Sequence, residues 1–261
     1  MTKSFLSKNC KDIILGSLLG DGSLKISDNY KNARFSFRHS VKQKEYFFWK
    51  MNQLKEISGE NCFWKSGVND GFGGQKLRYQ SLAIPELTEL YDKTHKKRVF
   101  KIRRKWLNLL TPLSLAIWWL DDGSIIGNGR KGVFCTDGFS YEEQEILSQY
   151  LRKVWDINVH IGKITRQWKG KVKTYYRLWI RSSEELKKFL RIILPQMKVV
   201  EMLPKVLIMY KDHDLQQRWI SEVSELTGFS KAIIEKYIGK KKNKWKIYRK
   251  TSENDIVRSS E

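Results

Sequence analysis

The chain is 261 residues long and carries 50 Lys and Arg against 28 Asp and Glu, a formal net charge of +22. Hydrophobic residues make up 41%, enough for a core, and the length suits one large domain or two of about 100–150 residues. Only 4 prolines and 17 glycines argue against a low-complexity chain, no apolar run approaches the ~18 residues of a membrane span, and the opening MTKSFLSKNC does not read as a secretory signal.

Residues 10–21 (CKDIILGSLLGD) are a short, mostly apolar helical segment ending in an acid. GSLKIS follows, then NARFSFRHS, whose alternation puts Arg34, Ser36 and Arg38 on one face and Phe35 and Phe37 on the other, a half-buried strand. KQKEYFFWKMNQLKEIS has helical apolar spacing. NCFWKSG and QKLRYQSL are strand-like and joined by a connection rich in glycine (Gly67, Gly71, Gly73, Gly74), and IPELTELYDK is a helix with Pro85 near its start. Residues 111–122 (TPLSLAIWWLDD) then repeat the opening segment. Asp21-Gly22-Ser23 and Asp122-Gly123-Ser124 match at an offset of 122 − 21 = 101 positions, the size of a domain rather than of a solenoid repeat. The order also repeats: GVFCTDG as a strand, SYEEQEILSQYLRKVW as a helix with a capping box at Ser140 and Glu143, INVHIGKITRQW and VKTYYRLWIRS as strands, SSEELKKFLRIIL as a helix. Each half reads α-β-β-α-β-β-α, which predicts an α+β fold with helices on one face of an antiparallel sheet. From about residue 212 the repeat ends. WISEVSELTGFSKAIIEKYI predicts two short helices broken at Thr227-Gly228, with Ser230 capping the second, followed by a lysine run of Lys240, Lys241, Lys242, Lys244 and Lys246. This has the form of a small helix-turn-helix able to lie in a major groove, or of a terminal hairpin packed on the core.

A positive excess this large implies a polyanionic partner, because self-repulsion destabilises the compact state. Nucleic acid is the default; a membrane surface is disfavoured, since no basic amphipathic helix has a clean apolar face. Cys10, Cys62 and Cys135 are odd in number and widely spaced, which fits a reducing compartment rather than a disulfide framework or a structural zinc. His39, His95, His160 and His213 are scattered, with none at metal-ligand spacing, which argues against a zinc enzyme.

Gly16 and Gly20 lie four apart and so share one helix face. Glycine inside a helix costs up to ~1 kcal/mol relative to alanine. Close approach of a second helix would offset that cost, and the natural partner is the second segment. Packing the two together brings Asp21 and Asp122 side by side. Each sits at the negative end of a helix dipole, an unfavourable place for a carboxylate, and the two repel. A divalent cation reverses both penalties, and magnesium suits carboxylates plus substrate phosphate. Asp121 adds a third acid. Neighbours on a helix point about 100° apart, so only one of Asp121 and Asp122 can aim at the site.

ILGSLLGDG (14–22) and LAIWWLDDG (115–123) resemble the two signature motifs of the LAGLIDADG homing endonucleases, in the single-chain, double-motif, intron-encoded form. The resemblance covers roughly residues 8–210. It implies two pseudo-symmetric αββαββα halves, residues 1–110 and 111–211; the C-terminal piece, 212–261, is not covered by it and reads as a basic helical extension from its own pattern. It implies signature helices at the interface of the halves, and saddle-shaped sheets in the DNA major groove. It places Asp21 and Asp122 as metal ligands beside the scissile phosphates, with Gly20 and Asp121 next to them in the metal set. It implies one active-site lysine per half: Lys97 in HKKRVF, and Lys205 in MLPKV (202–206), where Pro204 replaces the usual tyrosine and Lys198 is the alternative. Trp118 and Trp119 depart from the small interface residues of the motif. A polar residue that is often Gln in relatives stands here as His39 and Asp137, and His39 could position water.

The implied activity is site-specific double-strand cleavage of DNA by Mg2+-dependent phosphodiester hydrolysis, with no protein nucleophile, in a monomer. Side chains expected to read DNA are Lys25, Ser27, Arg34, Ser36, Arg38, Lys65, Arg78 and Gln80 in the first half. In the second they are Lys163, Thr165, Gln167, Lys171, Lys173, Arg177 and Arg181, with Lys240, Lys241 and Lys242 from the extension. The alternatives are a maturase binding its own intron RNA and a non-catalytic DNA-binding regulator. An intracellular setting is expected, with a mitochondrion, a plastid or a bacterium fitting equally.

Overall fold

The computed structural model describes residues 6–67, 74–127, 129–168 and 170–243. Gly71, Gly73, Lys244 and Lys246, singled out above, lie outside them. Two short helices occupy the centre. Helix α1 (Lys8–Leu18) starts at Ser7, whose side chain accepts from the Cys10 amide. Its equivalent, Pro112–Asp122, starts at Thr111, whose hydroxyl accepts from the Ser114 amide, with Pro112 in the first turn where no donor is needed. The second is apolar nearly all round, and α1 is so from Ile13 onward, because there both are enclosed: Ile13, Ile14, Leu115, Ile117, Trp118 and Trp119 are fully buried.

Strands β1 (Gly22–Lys25) and β2 (Arg34–Ser40), helix α2 (Lys44–Gln53), strands β3 (Phe63–Lys65) and β4 (Lys76–Gln80) and helix α3 (Pro85–Thr94) complete the first half. A hairpin of β5 (His95–Lys96) and β6 (Val99–Phe100) and one helical turn, α4 (Arg104–Leu107), lead into α5 (Pro112–Asp122). The hairpin and α4 were not expected from the sequence. The second half follows with β7 (Gly123–Ile126), β8 (Lys131–Phe134), α6 (Tyr141–Trp155), β9 (His160–Trp168), β10 (Lys171–Ile180) and α7 (Ser183–Ile193). The sheets run β1-β2-β4-β3 and β7-β8-β10-β9, the same antiparallel order twice, so the repeat seen in the sequence is a repeat of topology. The expected capping box at Ser140 and Glu143 is formed.

Helix α1 packs on α5 through the glycine face. A Cβ on Gly16 would overlap the Ser114 carbonyl, and one on Gly20 would come within 2.5 Å of the Asp121 Cβ. The two tryptophans do not fill this interface. Trp118 stacks on Phe134 with centroids 4.2 Å apart, and Trp119 meets Phe134 and Phe189 edge-on at 5.0 and 5.2 Å, all within the second half. The glycines therefore complement Ser114, Ile117 and Asp121, not indole bulk.

The extension forms two helices. Helix α8 (His213–Thr227) begins at Asp212, whose side chain accepts from the Leu215 amide, and ends at Gly228 in the left-handed conformation, φ 76°. Residues 231–243 form α9. Trp219, Ile220, Val223, Ile234 and Ile238 join the same buried core as the halves, so this pair of helices is docked on the body. Among the described residues no helix is long and apolar enough to cross a membrane.

Candidate active site

Asp21 follows α1 by one turn and Asp122 is the last residue of α5, so the packed helices deliver both acids to one end of the interface. Asp121 turns the other way. Its side chain is fully buried, and the Lys50 ammonium stands 3.0 Å from Oδ1 and 2.8 Å from Oδ2. The Tyr46 hydroxyl donates to Oδ1 at 2.8 Å and the Asp21 amide to Oδ2 at 3.3 Å. Burial, and then the Asp121 charge, hold the Tyr46 hydroxyl well above its usual pKa, so it stays a donor. His39 is buried between the acids, Nδ1 3.3 Å from Asp21 Oδ2 and Nε2 3.7 Å from Asp121 Oδ1, with Nε2 making no hydrogen bond.

Asp21, His39 and Asp121 offer donor atoms within 4.8 Å of one another. Lys50 already supplies a cation at Asp121, and both carboxylate oxygens are engaged. Asp121 is thus the partner of a buried ammonium as well as a member of the one group of donors that lies within ion-binding distance among the described residues. Gly20 is the small residue that lets Asp121 approach.

The two remaining acids differ electrostatically. Burial opposes ionisation of Asp21, but the hydrogen bond and charge of His39, and then Lys50 and Lys205, outweigh it and hold the carboxyl below its usual range. Burial, followed by the charges of Asp21 and Asp121, pushes Asp122 up to about 7 against the opposing charge of Lys205. Lys205 lies in a 3-10 helix (Val200–Lys205) and donates to Leu120 O at 2.6 Å and Asp121 O at 2.9 Å, capping the C-terminus of α5. Burial lowers its pKa while the three acids work to raise it. Lys97 stands exposed in the β5–β6 turn with φ 51°; the lysines whose charges act on Asp21 are Lys50 and Lys205.

A groove of about 410 Å³ runs from Asp21 along the first sheet, lined by Ser23, Lys25, Ser36, Arg38, Arg78 and Gln80 among others. Pairing fixes this face: Ser23 opposes Ser36, Lys25 opposes Arg34, Ser36 opposes Gln80 and Arg38 opposes Arg78. Arg34 lies over the Tyr30 ring, and Ser27 is exposed just past β1. Lys65 departs from expectation. It pairs with buried Leu77, on the helix-covered face, and Trp64, paired with Arg78, takes the groove position.

The second sheet divides the expected residues between its two faces, with Lys163, Thr165 and Gln167 exposed on one of them. Lys163, Thr165 and Gln167 pair with Tyr176, Thr174 and Val172, which share the face of buried Leu178. Lys171 and Lys173 are on the opposite, outer face, where their partners are Trp168 and Arg166. Arg177, also outer, is bound by Asp137: Nε to Oδ1, and NH2 to Oδ2 at 2.7 Å. Arg181 is exposed beyond the end of β10. In the extension, Lys240 sits over the Tyr237 ring and Lys242 is exposed, whereas Lys241 donates to Pro204 O and Leu207 O.

Lys50, Trp64 and Arg166 were missed from the sequence. Lys50 carried a signal: it stands four positions from Tyr46 and four from Leu54, on the apolar face of α2. Arg166 and Trp64 depend on strand register, which a single sequence does not display.

A family model described as the LAGLIDADG DNA endonuclease family matches residues 11–189. Protein RecA of Mycobacterium gastri is 32% identical over 173 residues, 60% of this chain and 39% of that protein. DNA endonuclease I-ChuI of Chlamydomonas applanata is 29% identical over 174 residues, 62% of this chain and 80% of that one. Cytochrome b mRNA maturase bI2 of Saccharomyces cerevisiae is 29% identical over 204 residues, 74% and 47% respectively. The chain thus spans less than half the length of the RecA and maturase relatives it matches. Among solved structures, the homing endonuclease I-WcaI bound to its DNA recognition sequence is similar with a TM-score of 0.66 and 22% identity, over 79% of this chain and 89% of that chain, which shows a shared fold.

Proposed function

The chain belongs to the LAGLIDADG DNA endonuclease family, and from that membership and the geometry of its acids we propose that it is a site-specific DNA endonuclease making metal-dependent double-strand breaks. The observation that carries this reading is the placement of Asp21 at the end of a basic, polar groove and, through the packed α1 and α5, at the same end of the interface as Asp122. The halves are taken as 1–110 and 111–211, with 212–261 as the extension. One chain then supplies both acids, which supports action as a monomer.

The residues fit a hard divalent cation. Asp122 is pushed up to about 7 by burial and two neighbouring acids, the mark of a cluster short of positive charge. Asp21 and Asp122 offer oxygen donors of the kind magnesium takes together with substrate phosphate. Bound there, the ion supplies an activated water and neutralises charge on the leaving oxygen. The protein's own part is positioning. Gly16 and Gly20 set the helix approach, Lys50 holds Asp121 in place beside the site, and His39 fixes the orientation of Asp21. Lys205 brings a positive charge to the end of α5, where negative charge develops on the phosphate. Lys25, Arg38, Arg78, Lys171 and Lys173 share the outer sheet faces, where phosphates and base edges would meet them.

The test is incubation with magnesium of DNA carrying the intron-less insertion site. Cutting that stops with chelator and in Asp21→Asn or Asp122→Asn, with DNA binding retained, is the expected result. The similarity to a maturase supports one second reading, binding of intron RNA. RNA binding without any DNA cutting would favour it.

A further inference from the structure

The C-terminal extension lies beyond the residues matched by the family model, yet it is tied to the active site. Lys241, on α9, donates from Nζ to Pro204 O and to Leu207 O, each at 2.9 Å. Those two carbonyls bracket Lys205 along the chain. Lys205 donates in turn to Leu120 O at 2.6 Å and Asp121 O at 2.9 Å, the last carbonyls before Asp122. The Trp119 indole closes the circuit, donating from Nε1 to Lys205 O at 2.8 Å.

We infer that Lys241 is a positioning residue whose ammonium clamps the 204–207 turn, so that the extension braces Lys205 on the end of α5 beside Asp122; this rests on the endonuclease reading above. The turn needs such a clamp. The 3-10 helix Val200–Lys205 is six residues long with Pro204 inside it, and 3-10 runs beyond three or four residues are weak. Helix α9 is held against the body by Ile234 and Ile238, 0% and 5% exposed, so Lys241 is delivered from a fixed platform. Burial pushes Lys241 down to about 8, so its ammonium relies on the two carbonyls that accept from it.

The experiment uses the full chain and compares Lys241→Met, Lys241→Arg and, as a charge-matched control, Lys236→Met, an exposed lysine of the same helix. Single-turnover cleavage of prebound DNA is expected to fall about tenfold or more in Lys241→Met, with affinity and its salt slope unchanged. Lys241→Arg should recover most of the rate and Lys236→Met should keep it. In a Lys205→Met background, Lys241→Met should slow cleavage by less than about twofold more, since it acts through Lys205. Full cleavage in Lys241→Met overturns the brace. So do effects that multiply with Lys205→Met, or a weaker affinity whose salt slope drops by about 0.9, the signature of a lost phosphate contact. Hydrogen exchange at 203–207 separates the two ideas. Faster exchange in Lys241→Met alone supports the brace even if the chain cuts no DNA. Unchanged exchange sinks the brace and leaves the endonuclease reading standing.

Discussion

The Lys50 ammonium and the Asp121 carboxylate form a closed ion pair, 2.8 and 3.0 Å from the two oxygens, with both side chains wholly buried. The pair joins α2 of the first half to α5 of the second. It also fixes the direction in which the first of two adjacent acids points. Removing one partner strands a charge in the interior, which costs roughly 3–5 kcal/mol, whereas replacing both with apolar residues of similar volume is often near neutral. Lys50→Met is expected to lower the urea midpoint strongly, and Lys50→Met with Asp121→Leu to regain most of the loss. The double variant should still bind DNA. A double variant no more stable than Lys50→Met would show that the pair is not the source of the effect.

Gly16 tests the helix interface. A methyl group there overlaps the Ser114 backbone carbonyl, so the helices must separate. Overpacking typically costs about 1–3 kcal/mol, more than the ~1 kcal/mol of helix propensity that alanine gains. Gly16→Ala should therefore be destabilising, and it should slow cleavage more than it weakens binding, because it shifts Asp21 against Asp122. Gly239, where nothing lies within 4 Å of an added Cβ, is the control: Gly239→Ala should gain up to ~1 kcal/mol. Denaturant titrations of the two variants should move in opposite directions.

The sheet faces give a paired test on DNA. Lys173 lies on the outer face opposite Arg166, and Lys163 on the helix side opposite Tyr176. Each phosphate contact contributes about 0.9 to the log–log salt slope. Lys173→Ala should reduce the slope by about that amount, and Lys163→Ala should leave it unchanged. Equal effects from both would mean that the face assignment by register is wrong.

That pair also marks the limit of what the sequence displayed. The repeat of a glycine-acid motif, the order of helices and strands, and the capping box at Ser140 and Glu143 are local patterns, and each was legible. Parity along one strand was legible too: Arg34, Ser36 and Arg38 do share a face. Parity between strands was not. Lys171 and Trp168 pair, so same-parity residues on β9 and β10 fall on opposite faces, and only the register reveals it. Lys65 was misplaced for the same reason. Asp121 against Asp122 was a choice between two directions about 100° apart. The direction of Asp121 is set by a lysine 71 positions earlier, a long-range contact that no local pattern contains.

Asp21 and Asp122 should move stability in opposite directions although both are needed for cutting. Asp122 has its pKa raised from 3.8 to about 7 in the fold. Between those values the unfolded chain has lost a proton that the folded chain still holds. Stability therefore falls as pH rises from about 4 to about 7, and the loss is complete above that range. Asn at 122 does not titrate, so Asp122→Asn should melt higher than wild type at pH ~8 in chelator, with the difference vanishing near pH ~4. Asp21 has its pKa lowered by His39, Lys50 and Lys205 against the effect of burial. Its contribution is present above the unfolded value of 3.8 and is lost as pH falls through the lower folded value, so Asp21→Asn should melt lower than wild type at pH ~8. Magnesium should raise the wild-type melting temperature, since a cation bound only by the folded state stabilises it, and should raise that of Asp122→Asn less. Thermal scans at three pH values with and without magnesium decide this. An Asp122→Asn protein that is less stable than wild type at pH ~8 in chelator would contradict the strained-acid assignment.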